Sequence, residues 1–129
     1  MKAFSEEWIN IFAEKINSNK EYASSAQDWT WSVVLSMKAE YEKNVFLNLQ
    51  NGKCINAQIA STLDLNNAEF IIYASSETWQ KILSGNLDPM MAVMTKKLEL
   101  KKGNVGLLLQ HVDSAKELLK SASQIPTEF

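Results

Sequence analysis

Arginine is absent from this chain of 129 residues: all 13 of its basic residues are lysine. The planar fork that clamps a phosphate or carboxylate through two parallel hydrogen bonds is therefore missing. Nor is the chain basic. Its formal net charge is −2, which gives no sign of the strongly positive face that nucleic-acid binders carry. Cys54 is the one cysteine, so no intrachain disulfide can form and a reducing compartment fits. His111 is the one histidine. Without a Cys/His cluster a structural zinc site has no ligand set. Residues 1–16 carry charges throughout and lack the apolar centre of a signal peptide. No apolar run approaches membrane-spanning length. The expected location is cytoplasmic.

What is present suits one folded unit over residues 1–129. Apolar residues make up 46% of the chain, and a domain of this size buries roughly two-thirds of the surface its unfolded chain exposes. One real core can form without disulfides or metals. Ser5, Glu6 and Glu7 open a first helix, in which Trp8, Ile9, Ile11, Phe12 and Ile16 recur at helical spacing. A shorter helix is predicted over 20–26.

The period then changes to two. Trp29, Trp31, Val33, Leu35 and Met37 alternate along one face of a strand. Residues 45–50 form a second strand, and Asn51-Gly52 is a strong two-residue hairpin signal. Residues 53–61 return as a third strand, with Ile55 and Ile59 expected on one face. Residues 63–67 read as a loop, and residues 69–74 as an apolar strand suited to the middle of a sheet. Two short helices follow, the second restarted by Asp88-Pro89. A fifth strand is expected over 97–101. One continuous helix is expected from 105 to 123, with the stripe Val105, Leu108, Leu109, Val112, Ala115, Leu119 and Ala122. Runs of strands followed by runs of helices indicate an α+β fold, a five-stranded, mainly antiparallel sheet with helices over one face.

The stretch Trp79-Gln80-Lys81-Ile82-Leu83-Ser84-Gly85-Asn86-Leu87-Asp88-Pro89, followed by Met90-Met91-Ala92, resembles the sterol carrier protein type-two family. The segment from Met94 to Asn104 is similar to that family's fifth strand and the turn into its last helix. The hairpin at Asn51-Gly52, the strand order and the length agree. Lys96 departs from the family's usual glycine, and Glu99 from its usual basic residue. The resemblance implies an apolar tunnel between sheet and helices. It implies binding and carriage of a fatty acid, fatty-acyl-CoA, phospholipid or sterol-like lipid, without catalysis. The alternative is a protein-interaction or enzyme-accessory domain whose pocket is closed. Compatible partners are the lipid itself, transient membrane contact, a second copy of the chain, or an enzyme of lipid metabolism.

The expected lipid-binding residues are Met37 and Phe46 from the sheet, Met90, Met91 and Met94 from the second short helix, and Leu107, Leu108 and Leu118 from the last helix. Methionine suits a deformable site because its thioether chain repacks around varied ligands. On pattern alone the three methionines read as ordinary core. An empty, rigid apolar cavity of roughly 300 Å³ would cost about 7 kcal/mol, against a total stability of ~5–15 kcal/mol. Such a pocket must therefore be filled, collapse when empty, or admit water. Lys96, Lys97, Lys101 and Lys102 can attract an anionic head group or membrane, although lysines on an edge strand more commonly deter aggregation.

No catalytic set is expected. His111 on the flank of a helix has Asp113 and Ser114 at offsets that point elsewhere, and reads as a rim residue. Cys54 reads as a small core residue. The turn Asn104-Val105-Gly106 is not a phosphate-binding loop, and no cofactor is called for. Whether Phe129 closes a pocket or hangs free is open at this level.

Overall fold

The computed structural model describes residues 1–129. Five strands form one sheet in the order β3-β2-β1-β4-β5. They are β1 (Thr30–Lys38), β2 (Lys43–Gln50), β3 (Lys53–Ile59), β4 (Phe70–Ser75) and β5 (Glu99–Lys102). Only the β1–β4 pairing is parallel, so the sheet is mixed and mainly antiparallel as expected. The helices are α1 (Glu6–Ser18), α2 (Lys20–Ser25), α3 (Thr62–Asn67), α4 (Ser76–Leu83), α5 (Pro89–Met94), α6 (Val105–Gln110) and α7 (Val112–Ser123).

Side-chain caps start nearly every helix. The Ser5 hydroxyl accepts from the Trp8 amide, Asn19 from Tyr22, Ser75 from Thr78, and Asp88 from Met90 and Met91. Each cap satisfies an amide that has no partner within its helix. Asn51 and Gly52 take φ of 51° and 85°, the backbone that a two-residue hairpin demands.

The predicted face of β1 holds. Trp29, Val33, Leu35 and Met37 are buried and Trp31 is half-buried. Against this face α1, α4 and α7 deliver Trp8, Phe12, Ile16, Trp79 and Leu118, all essentially without exposure. The outer edge of β3 is partly closed by Asn17 of α1. Its side-chain carbonyl accepts from the Cys54 amide at 2.8 Å, and its amide donates to the Cys54 carbonyl at 3.0 Å. Asn17 thus stands in for one step of an additional strand on an otherwise open edge.

Several elements depart from the sequence expectation, each for a local reason. Residues 62–67 form helix α3 instead of a loop, because Ser61 and Asp64 cap each other's amides reciprocally. The capping hydrogen bonds hold the Asp64 carboxyl below its ordinary range. Its stabilising contribution is therefore present above that range and lost as pH falls through the lowered value. This crossover helix packs against β1 on the face opposite the other helices. Gln58, in register with Phe46 and Val34, donates to Asp64 at 2.8 Å, and Val34 and Ala68 are buried outside the main core. In β3, Ile55 is the extra residue of a bulge. The alternation therefore breaks, and Ile55 and Ile59 do not form a buried face; both are more than half exposed. Strand β5 begins at Glu99 and not at Lys97, because the Lys97 and Leu98 amides bond to the Ala92 carbonyl.

The terminal helix is broken at His111, whose backbone (φ −117°, ψ 33°) leaves the helical region. At ~100° per residue, Leu118 would lie roughly 80° around a continuous helix from Leu108. Both are buried. The break lets α6 aim Leu108 inward while α7 centres its own face on Leu118.

Candidate functional site

The break at His111 builds an aromatic group at one end of the sheet. The imidazole stacks on Trp29 (ring centroids 5.9 Å, 9° between planes) and meets Trp31 edge-on (5.0 Å, 79°). Trp29 in turn meets Trp31 at 5.0 Å and 87°, and Trp31 lies 4.2 Å from Phe70. These offset and edge geometries are the favoured ones for aromatic pairs. The His111 ring thus packs on two aromatic side chains and makes no ion pair. Gly103, in the turn between β5 and α6, passes so close to Phe70 that a Cβ there would sit 2.4 Å from the ring. The turn is thereby seated on the floor of the aromatic group.

The two short helices that flank β5 in the chain expose apolar side chains. Helix α6 buries Leu108 but leaves Val105, Leu107 and Leu109 between 42% and 48% exposed. Helix α5 buries only Ala92 fully, while Met91 is 51% and Met94 73% exposed. The Lys116–Asp88 ion pair at 3.8 Å ties the start of α5 to the second turn of α7. On the helix-facing side of the sheet at this end, Trp31, Ile72 and Leu100 are half-buried. The Trp29 indole N–H, in a residue only 2% exposed, has no acceptor, and neither does the Tyr22 hydroxyl have a partner. A buried donor left unmet costs about 1–3 kcal/mol.

The eight residues expected to line one pocket fall into three places. Met37, Leu108 and Leu118 belong to the main core. Met90 is half-buried, and Met91 and Met94 on α5 and Leu107 on α6 are exposed. Phe46 is the outlier. It pairs with Val34 and Gln58 on the α3 face of the sheet, so the thickness of the sheet separates it from the others. The period-two pattern of β2 already carries that placement. Val45, Leu47 and Leu49 are its buried set, and Phe46 alternates against them. Sequence reasoning does not find the contact of Trp31 with His111, because the helix break at His111 has no marker such as Gly or Pro.

Two clefts lie elsewhere. One of about 610 Å³ is bounded by Met37, Tyr41, Lys43, Lys2 and Phe129. Phe129 is 41% exposed there; Glu128 pairs with Lys2 and Thr127 accepts from the Trp8 indole, so the tail is tied down and does not hang free. The other, about 310 Å³, lies between the α4–α5 linker and α7, beside Leu87, Lys116 and Leu119. No helix of the chain is long and apolar enough to cross a membrane.

Cys54 is buried and free. Burial pushes its thiol up to about 11, partly offset by a backbone hydrogen bond of Asn56, while burial and the nearby Cys54 thiolate push the Tyr22 hydroxyl up as well. A thiol so placed is almost entirely un-ionised near neutrality. Alkylation of the native protein at about pH 8 is expected to run at least roughly 100-fold slower than that of a free cysteine peptide. Reaction at the peptide's rate would show that the β3 edge opens readily.

Comparison with known proteins agrees with this architecture. The family model described as the SCP-2 sterol transfer family matches residues 9–116. A crystal structure of sterol carrier protein 2 is 31% identical, with 96% of this chain and 99% of that one covered and a TM-score of 0.88. The solution structure of a conserved hypothetical protein from Thermus thermophilus, suggested to be a sterol carrier protein, is also 31% identical, covering 99% and 92% at a TM-score of 0.86. Sterol carrier protein 2 from Yarrowia lipolytica, at 19% identity, covering 91% and 90%, shares the fold with a TM-score of 0.64. No curated protein matches the chain. The chain belongs to the SCP-2 sterol transfer family.

Proposed function

We propose that the protein binds and carries an acyl-chain lipid without transforming it, in a site that opens beneath α6 at the β5 end of the sheet. One observation carries the reading. Helix α6 buries a single side chain, Leu108, in the main core, and Trp31, Ile72 and Leu100, which pack against the same core, are only partly buried. Family membership supports lipid binding in general; the place and the ligand class are the reading offered here.

The magnitudes favour opening. A helix of six residues is marginal on its own, and burying one leucine contributes about 1.5–3 kcal/mol. A buried chain of about sixteen carbons gains roughly 12 kcal/mol. Association and ordering take back ~4 kcal/mol or more, and displacing Leu108 removes a further few. The remainder corresponds to micromolar binding, with affinity set by chain length. Leu107 and Leu108 would form the movable wall, Met90, Met91 and Met94 the adaptable flank, and Met37 and Leu118 the deep end; Phe46 takes no part. Trp29 Nε1 is the donor free to meet an oxygen of the ligand.

Hydrogen exchange with and without saturating palmitate tests this. The amides of residues 105–111 are expected to change protection by at least about ten-fold while β2 and β3 stay constant. Saturable binding with changes confined to the Met37–Phe129 cleft would contradict the placement.

The dense packing of Trp8, Phe12, Ile16 and Trp79 between helices and sheet favours a second reading, a closed domain that binds a protein partner. It predicts no saturable fatty-acid binding.

A further inference from the structure

We infer that the Asn51-Gly52 turn is a site of intramolecular deamidation that the folded hairpin holds shut, so that reaction there follows opening of the turn and leaves a product that no longer fits it. Asparagine followed by glycine occurs once in the chain. Glycine has no Cβ to shield its nitrogen, and the chemistry needs only water. The Gly52 amide nitrogen attacks Cγ of Asn51. A C–N bond forms, the Cγ–Nδ2 bond breaks, and ammonia leaves with the proton of the Gly52 amide. Water then opens the five-membered succinimide at either carbonyl. Opening at Cγ gives aspartate. Opening at the main-chain carbonyl of Asn51 gives isoaspartate, whose main chain runs through Cβ and Cγ.

The geometry of the turn opposes the first step. Gln50 pairs with Lys53, so the loop has two residues. Their φ values, 51° and 85°, are both positive, which is the type I′ arrangement. Ring closure requires Cβ of Asn51 and the nitrogen of Gly52 to eclipse about the Cα–C bond. The first central residue of a type I′ turn has ψ of about +30°, which in an L-residue holds those two atoms roughly 150° apart. The carboxamide is tethered as well. Its Nδ2 donates to the Gln27 carbonyl at 2.7 Å, and the Asn51 amide donates to the Trp29 carbonyl at 3.0 Å. Gly52 is buried close against Ala23 of α2, so the peptide unit that must rotate has no room to do so while α2 is in place.

Neither product restores the closed turn. An ionised carboxylate has no N–H to give the Gln27 carbonyl, and the two acceptors would face each other where a hydrogen bond of 2.7 Å stood. Isoaspartate also adds a methylene to the main chain of a loop whose length sets the register of β2 and β3. The reaction therefore converts a passing opening of the hairpin into a lasting one, at the point where the hairpin meets α2.

The test is incubation of the full chain at mildly alkaline pH, once folded and once in denaturing urea. With no arginine in the chain, cleavage after lysine releases residues 44–53 as one peptide. Fragmentation then locates the amide-to-acid mass change at Asn51, and chromatography separates aspartate from isoaspartate. Conversion in the folded protein is expected to run at least about ten-fold slower than in urea, because it waits on local opening. The isolated 44–53 peptide should convert at the rate seen in urea. Equal rates in the folded and unfolded chain would overturn the proposal, and so would an absence of conversion in urea. The consequence for the fold is read from Asn51→Asp. Aspartate suits the same turn, so a lowered urea midpoint at neutral pH isolates the lost hydrogen bond to Gln27. An unchanged midpoint would show that the carboxamide does not hold the turn. If the variant fails to fold, the comparison of rates in the wild-type chain decides alone.

Discussion

Trp79→Ala is expected to lower the unfolding free energy by about 3–5 kcal/mol, the range for truncating a large aromatic side chain in a packed core. Trp79 is fully buried. Its indole N–H donates to the Ser36 carbonyl at 2.8 Å, which pins α4 to β1, and its ring meets Phe4 at 5.8 Å. Truncation removes the filling and the hydrogen bond together. Against a total of ~5–15 kcal/mol, the variant should sit close to unfolding at room temperature. Trp79→Phe keeps most of the volume and loses the donor, so ~1–3 kcal/mol is expected. Urea titrations of both variants measure this. A loss below about 1 kcal/mol for the alanine variant would mean that the space between α4 and the sheet is already loose. In that case a ligand would have no reason to enter at the α6 end.

Gly52→Ala is expected to cost roughly 2–5 kcal/mol, from two sources that can be separated. Gly52 has φ of +85°, and an added Cβ would stand 2.6 Å from the Ala23 carbonyl oxygen and 2.8 Å from its Cα. Those are backbone atoms of α2, which cannot rotate away. The left-handed conformation costs alanine about 1–2 kcal/mol, and forcing α2 off the hairpin adds about 1–3 kcal/mol by analogy with overpacking. Gly85 supplies the control. Its φ is +82°, but nothing lies within 4 Å of its added Cβ, so Gly85→Ala should show only the conformational part. Equal losses in the two variants would deny that α2 and the hairpin tip are in contact.

These two positions also mark how far the sequence can be read. Asn51-Gly52 announces its hairpin because only a few residues tolerate that backbone, and the alternation from Trp29 to Met37 announces a buried sheet face. Both are local signals with one dominant cause. The close approach of α2 to Gly52 is tertiary and leaves no trace in the order of residues. The same divide runs through the site. The three methionines of α5 are recognisable as a unit, and the chain does keep them together. Their exposure is not legible, because it depends on how little of α5 the rest of the fold covers. Hydrophobicity groups Phe46 with Met37, although the alternation of β2 sends it to the α3 face. The break at His111 is hidden for a physical reason. No Gly or Pro interrupts 107–123, and the helix ends there because Leu108 and Leu118 need different faces and because the imidazole gains two aromatic partners. Residues 63–67 bury no side chain that would mark them as an element, and Ser61 with Asp64 is what makes that short helix form.

The measurement that bears most directly on lipid carriage is native mass spectrometry of freshly purified protein, with extraction and identification of what is bound. A fraction of molecules carrying a fatty acid, acyl-CoA or phospholipid, exchangeable for added palmitate, is the predicted result. A single unliganded mass that stays unchanged when palmitate is added in excess would contradict the account, and would leave the packed interior as that of a closed, partner-binding domain.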